Sequence, residues 1–157
     1  MTDGSQSSAL VALIVGILLA TWGFAILIAL AYYVLMSIAL MQFFLKVGVE
    51  PWIAWVPYYR TWKWLEVGGQ PGWVSLLALV PYGSYAAVVF LAIGMHRSGI
   101  AFGKDTSWVV LGIFLPFVWC FLLARDTEHY DPRRIGAAGY PPPLAGFGAV
   151  PRQAPAA

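Results

Sequence analysis

Charge is what this sequence has least of. Between Ala9 and Leu45 there is no Asp, Glu, Lys, Arg or His, and over all 157 residues only 10% are charged while 61% are hydrophobic. Ordinary soluble domains carry about 25% charged residues, so this composition excludes a water-exposed surface of the usual kind and names lipid as the expected solvent. Two further apolar stretches, about 73–95 and 107–124, also lack ionisable side chains. Ion-coupled transport and proton conduction generally need such groups within the membrane. Here the polar content is chiefly Thr21, Ser37, Gln42, Ser75, Ser84 and Cys120, and that class is not expected.

Other absences narrow the field further. The single cysteine, Cys120, excludes an intrachain disulfide and reads as a buried core thiol. No basic stripe exists, so nucleic acid is not an expected partner. The two histidines are His96 and His129; the second sits with Asp126, Glu128 and Asp131 in DTEHYD, which follows no metal-ligand spacing. That run reads as a solvated segment beside the membrane, and no metal or cofactor is expected. Residues 1–8 contain no Lys or Arg, and the apolar run that follows is too long for a cleaved signal peptide.

That first run, 9–45, is roughly 37 residues, or ~55 Å at helical rise against a hydrocarbon core of ~30 Å. One long helix is expected in preference to two spans, because the only candidate turn, Thr21 to Gly23, lies too near the start. Ala12, Gly16, Ala20 and Gly23 recur at helical spacing. Small residues along one face let another membrane helix approach closely, which marks them as a helix-packing face.

Residues 46–73 carry five of the eight tryptophans, Trp52, Trp55, Trp62, Trp64 and Trp73. Amphipathic aromatics favour the headgroup zone, and Lys or Arg can snorkel beside them. Pro51 and Pro57 oppose a continuous helix. Between Pro57 and Val67, helical spacing puts Trp55, Tyr58, Trp62 and Leu65 on one face and Arg60 and Lys63 on another. An interfacial helix is expected there, ended by Gly68 and Gly69. Glu66 can neutralise Lys63 three residues earlier. Trp52, Trp55, Arg60, Trp62, Lys63 and Trp73 are the candidate contacts to lipid or partner.

The stretches 73–95 and 107–124 look like copies. WVSLLALVPY and WVVLGIFLPF each carry Trp-Val, a Leu three positions after the Trp and a Pro eight after it followed by an aromatic ring; EPWIAWVPY is a shortened echo. Each is expected as a span broken by proline, at Pro81 or Pro116, giving an all-α integral membrane protein with three transmembrane helices and a short interfacial helix. Three spans place the 46–72 hinge and the 126–157 tail on one side and the 96–106 loop on the other. The excess of Lys and Arg then puts the N-terminus outside and the tail in the cytoplasm. The tail, rich in Pro, Gly and Ala, is expected to be disordered when free.

The order of a Gly-x-x-Pro-Trp entry, a Val-Pro-aromatic-aromatic turn, a Gly-x-Pro-Gly-Trp entry and a Phe-Gly-Lys before the last Leu-Pro stretch resembles a known group. It is an uncharacterised family of small bacterial membrane proteins, often labelled signal peptidase I-like or large exoprotein. The resemblance covers roughly residues 30–125, implies a bacterial inner-membrane location and implies no activity. Where members commonly have Asn after the paired aromatics, this chain has Arg60. Signal peptidase chemistry needs a Ser nucleophile and a Lys base; of Lys46, Lys63 and Lys104 only the last has a serine nearby, Ser107, in a short loop. The enzymatic label is therefore not expected to transfer. The expected function is a non-catalytic accessory or assembly subunit beside other integral membrane proteins. The alternative is a module that binds or transports lipids or small amphiphiles.

Overall fold

The structure, a computed structural model, describes residues 3–148. All regular structure among them is helical: α1 (Asp3–Val47), a 3-10 helix Pro51–Trp55, α2 (Tyr59–Val67), a 3-10 helix Gly72–Leu79, α3 (Gly83–Ala101), α4 (Ser107–Phe114), α5 (Pro116–Leu123) and α6 (Arg133–Ala137). The chain divides within α1 into two units, one ending at Leu35 and the other beginning at Met36.

The first unit is a length of uninterrupted helix. It has no proline, and its leucines, isoleucines and alanines suit a helix in an apolar solvent. The expected single helix over 9–45 lies inside α1, with no turn at Thr21 to Gly23; the Thr21 hydroxyl donates to the Ile17 carbonyl and leaves the ladder intact. Its large apolar side chains are bare, among them Leu19, Trp22 and Phe24.

The second unit is built from the end of α1 and three helical hairpins. In each, a short helix leads to a proline and a second helix comes back. Pro51–Trp55 turns through Pro57 into α2, with the Trp52 and Tyr59 rings 6.0 Å apart across the turn. Gly72–Leu79 turns through Pro81 into α3, and Arg97 near the end of α3 donates from Nη1 to the carbonyl of Gly69 at 3.4 Å, beside where the hairpin began. Tyr58 and Tyr82, each directly after its proline, hold positive φ of 62° and 64°. That conformation disfavours an L-residue, and it is what reverses the chain. The third hairpin breaks at Leu115 before Pro116. Gly112 of α4 lies beside Met95 of α3, Trp119 of α5 packs on Phe43, and Lys46 Nζ reaches the Arg125 carbonyl at 3.0 Å. So α4 leaves the end where α1 stops and α5 returns to it.

Phe43 is the hub of the core, its ring 5.5 Å from Trp119, 6.1 Å from Phe102 and 6.4 Å from Trp64. Leu40, Val47, Leu123 and the expected core thiol Cys120 are fully buried around it. Helices α2 and α3 meet through Gly68 and Gly94, where a Cβ on Gly68 would collide with the Gly94 backbone.

Several expectations need correction. Residues 73–95 are not one continuous helix: Pro81 and Tyr82 divide them, and α3 runs on to Ala101, so His96 and Arg97 are helical instead of starting a loop. Residues 107–124 form two eight-residue helices, divided at Leu115 before Pro116. Two helical segments, Gln6–Val47 and Gly83–Ala101, are long and apolar enough to cross a membrane. The 96–106 loop and the tail are not at opposite ends: Lys104 Nζ is 2.8 Å from Glu128 Oε1, and the Asp131 amide donates to the Ala101 carbonyl at 3.0 Å. A proline signals a break in a helix but not the direction taken after it.

Nor is the described part of the tail free. Residues 126–148 lie across the hairpin feet: Leu144 donates to the Glu66 carbonyl at 2.8 Å, Gly148 to that of Val47 at 2.9 Å, and Ile135 is fully buried. Here the folded hairpins supply the apolar surface and open carbonyls that the tail's own composition lacks. The remainder of the 126–157 tail, Arg152 included, lies outside the described residues.

Candidate functional site

The candidate residues of the 46–72 hinge fall into two groups. Trp52, Trp55 and Trp73 are exposed, 56%, 41% and 56% respectively. Arg60, Trp62 and Lys63 are half-buried on α2. Glu66 ties two of them together, accepting from Trp62 Nε1 and from Lys63 Nζ, both at 2.7 Å; the expected Glu66–Lys63 pair is present. Arg60 Nη1 donates to Ser37 Oγ at 3.3 Å. The inward face of α2 is Trp64, Leu65 and Val67. Of the face expected from spacing, only Leu65 is buried, because the 3-10 geometry and the Pro57 turn put Trp55 and Tyr58 outside the helix that was meant to align them.

Ala12, Gly16, Ala20 and Gly23 all lie in the first unit, and all are exposed. A Cβ built on Gly16 or Gly23 meets nothing within 4 Å. The small-residue face is thus open among the described residues.

A third feature had no signal in the sequence. Helices α3 and α4 run antiparallel and leave a groove of about 540 Å³ between them. Its walls are aliphatic: Val88, Val89 and Ile93 from α3, Val109 and Ile113 from α4. Its polar end lies where α3 finishes and α4 starts, at His96, Arg97 and Thr106, with Tyr140 from the tail beside them. The Tyr140 ring meets His96 edge-on at 6.1 Å, and the Arg97 guanidinium lies 5.1 Å from its centroid, within cation–π range. Ligand pockets of about 300–1,000 Å³ with apolar walls and few polar groups are the common form.

Arg97 is the unusual member. Its Nε is shut off from solvent without a hydrogen-bond partner, and among the described residues no carboxylate pairs with it. As a residue Arg97 is only half-buried, so the groove end carries a cation with no carboxylate opposite it among the described residues. By sequence alone Arg97 falls only within the 96–106 loop; its position came from the α3 hairpin and from Tyr140, forty-odd residues on.

One buried side-chain bond ties two parts of the tail together. Tyr130 Oη donates to the Gly146 carbonyl at 2.7 Å. Burial, and then the negative charge of Asp131, push the Tyr130 phenol above its ordinary range. Among the described residues no cluster of His, Cys, Asp and Glu is arranged to hold a metal; of the DTEHYD run, Glu128 is on Lys104 and Asp131 is 4.0 Å from Arg134.

No curated protein and no solved structure matches this chain. A family model does match, over residues 52–132, which contain all three prolines that turn the hairpins and the whole α3–α4 groove except Tyr140. The match carries neither the signal peptidase nor the exoprotein label. The chain belongs to the family of unknown function DUF5684.

Proposed function

We propose that this chain is a non-catalytic accessory or assembly subunit of a larger complex in the bacterial inner membrane. The observation that carries the reading is the bare first unit, whose apolar side chains and small-residue face at Ala12, Gly16, Ala20 and Gly23 have no partner among the described residues. Such a face suits close packing on another transmembrane helix. In this reading α1 is the one crossing, and the three hairpins dip into the bilayer and return to the cytoplasmic side. Re-entrant backbone is tolerated at depth where protein buries it. Lys46, Lys104, Arg125 and Arg134 all lie among the hairpin feet and the tail, which agrees with a cytoplasmic base and an outside N-terminus.

The test is affinity purification of the tagged full-length chain from its native membrane in mild detergent, with identification of what accompanies it. A stoichiometric integral membrane partner, lost on Gly16→Leu or Gly23→Leu, supports the reading. A monodisperse chain without companions overturns it.

A second reading, a membrane module that binds lipids or small amphiphiles, is favoured by the α3–α4 groove, whose lining has Arg97 at one end and no carboxylate. It does not compete with the first, since the two use different surfaces.

A further inference from the structure

We infer that the α3–α4 groove is the binding site for one anionic phospholipid, its acyl chain between the two helices and its phosphate on Arg97. The inference rests on the amphiphile-binding reading and gives it a site and a ligand class. It also moves that site away from the tryptophan-rich hinge.

Charge selects the headgroup. The residues that line the polar end include a permanent cation, Arg97, an imidazole, His96, and a hydroxyl, Thr106, and no carboxylate lines the groove anywhere. Two other cations are engaged by carboxylates, Lys63 with Glu66 and Lys104 with Glu128, at 2.7 and 2.8 Å. Among the described residues Arg97 has a long 3.4 Å bond to the Gly69 carbonyl and the face of Tyr140. A guanidinium presents donors in a fixed fork that matches phosphate oxygens, and Arg97 is half-buried at the end of the groove.

Orientation selects a lipid. The groove runs from the hairpin feet, where the charges of the chain collect, toward the hairpin turns, where Val80, Tyr82 and Phe114 are exposed. Val88 and Val89 along its wall are 59% and 58% exposed. A phospholipid already standing in the bilayer has its phosphate and its chain in this order, headgroup at the feet and hydrocarbon toward the turns. Tyr140 sits on Arg97 from the tail side, so it bounds the phosphate position and fixes the guanidinium plane.

The experiment uses the full-length chain purified in mild detergent, mixed with phosphatidylglycerol or phosphatidylcholine, and read by native mass spectrometry. Wild type is expected to retain one phosphatidylglycerol that phosphatidylcholine displaces poorly. Arg97→Gln is expected to lower phosphatidylglycerol affinity about ten-fold or more, the scale of a lost charge-assisted hydrogen bond, and leave phosphatidylcholine unchanged. Arg97→Lys restores part of the preference. Val89→Trp, at an exposed wall position that leaves the core intact, is expected to weaken both lipids. Equal phosphatidylglycerol retention by wild type, Arg97→Gln and Val89→Trp overturns this site while leaving an amphiphile module standing elsewhere on the chain. Retention of neither lipid by wild type overturns the site and the amphiphile reading together.

Discussion

Lys104 and Glu128 form an ion pair of 2.8 Å between the loop that follows α3 and the segment that follows α5. The pair sets the two ends of the third hairpin side by side. Glu128 lies 24 positions after Lys104, and the largely apolar chain between them leaves this point and comes back to it.

The first prediction follows from that pair. Single cysteines at the exposed positions Asp105 and Thr127 are expected to react with a membrane-impermeant maleimide from the same side, seen in inverted vesicles and not in intact spheroplasts. The native Cys120 is buried and stays silent. Labelling of the two positions from opposite sides would restore the three-crossing arrangement and remove the hairpin.

Gly68 and Gly94 are an asymmetric pair. A Cβ on Gly68 meets the Gly94 backbone, which cannot yield, while a Cβ on Gly94 finds its nearest atoms, both of Leu65, at 3.9 Å. Gly68→Ala is therefore expected to cost about 1–3 kcal/mol, and Gly94→Ala is expected to be close to neutral. Thermal unfolding in detergent measures both; equal effects would mean that α2 and α3 do not cross as described.

Tyr130 gives a pH dependence with a definite sign. Its phenol is raised in the folded state, so the folded chain holds the proton more tightly than the unfolded chain. The stabilisation is complete below the ordinary phenol value of ~10 and declines as pH rises above it. Tail docking, followed by limited proteolysis after residue 130, is expected to loosen in that alkaline range. Tyr130→Phe loses the bond to Gly146, about 1 kcal/mol, and with it this particular pH response. A Phe variant that loosens with the same alkaline profile as wild type would refute the assignment.

Tyr82 is expected to be strained without being packed. It holds φ of 64° and is 85% exposed. Tyr82→Asn, which accepts the left-handed region more readily, should raise stability in detergent by about 0.5–1 kcal/mol. A loss of stability instead would show that the ring makes a contact the bare chain does not reveal.

Glu66 accepts from both Trp62 and Lys63, and its carbonyl takes the amide of Leu144. Glu66→Ala removes two side-chain bonds and keeps the third. A cost of about 1–3 kcal/mol is expected, with the tail still docked; release of the tail would shift the weight to the side chain.

Much of this was legible without the fold. The long charge-free run fixes α1 as one helix, since nothing in it offers a turn, and the Trp-entry and Pro-break repeat marks where each hairpin begins and turns. Glu66 on Lys63 follows from helical spacing alone. Composition also points to lipid as the solvent, because so few charges cannot cover a surface of this size with polar groups, and two helical segments are long and apolar enough to cross a membrane. What the sequence could not supply was direction. Pro57, Pro81 and Pro116 each say that a ladder of hydrogen bonds stops; whether the chain bends a little or reverses depends on what the returning helix can pack against. Here α2 packs on Phe43 through Trp64, α3 on Gly68 through Gly94, and α5 on Phe43 through Trp119, all far away in sequence. The groove and Arg97's unmet donor depend on the same long-range packing, as does the docking of residues 126–148, whose composition alone argues for disorder. Local chemistry determined the breaks, and tertiary packing decided that the chain turns back at them.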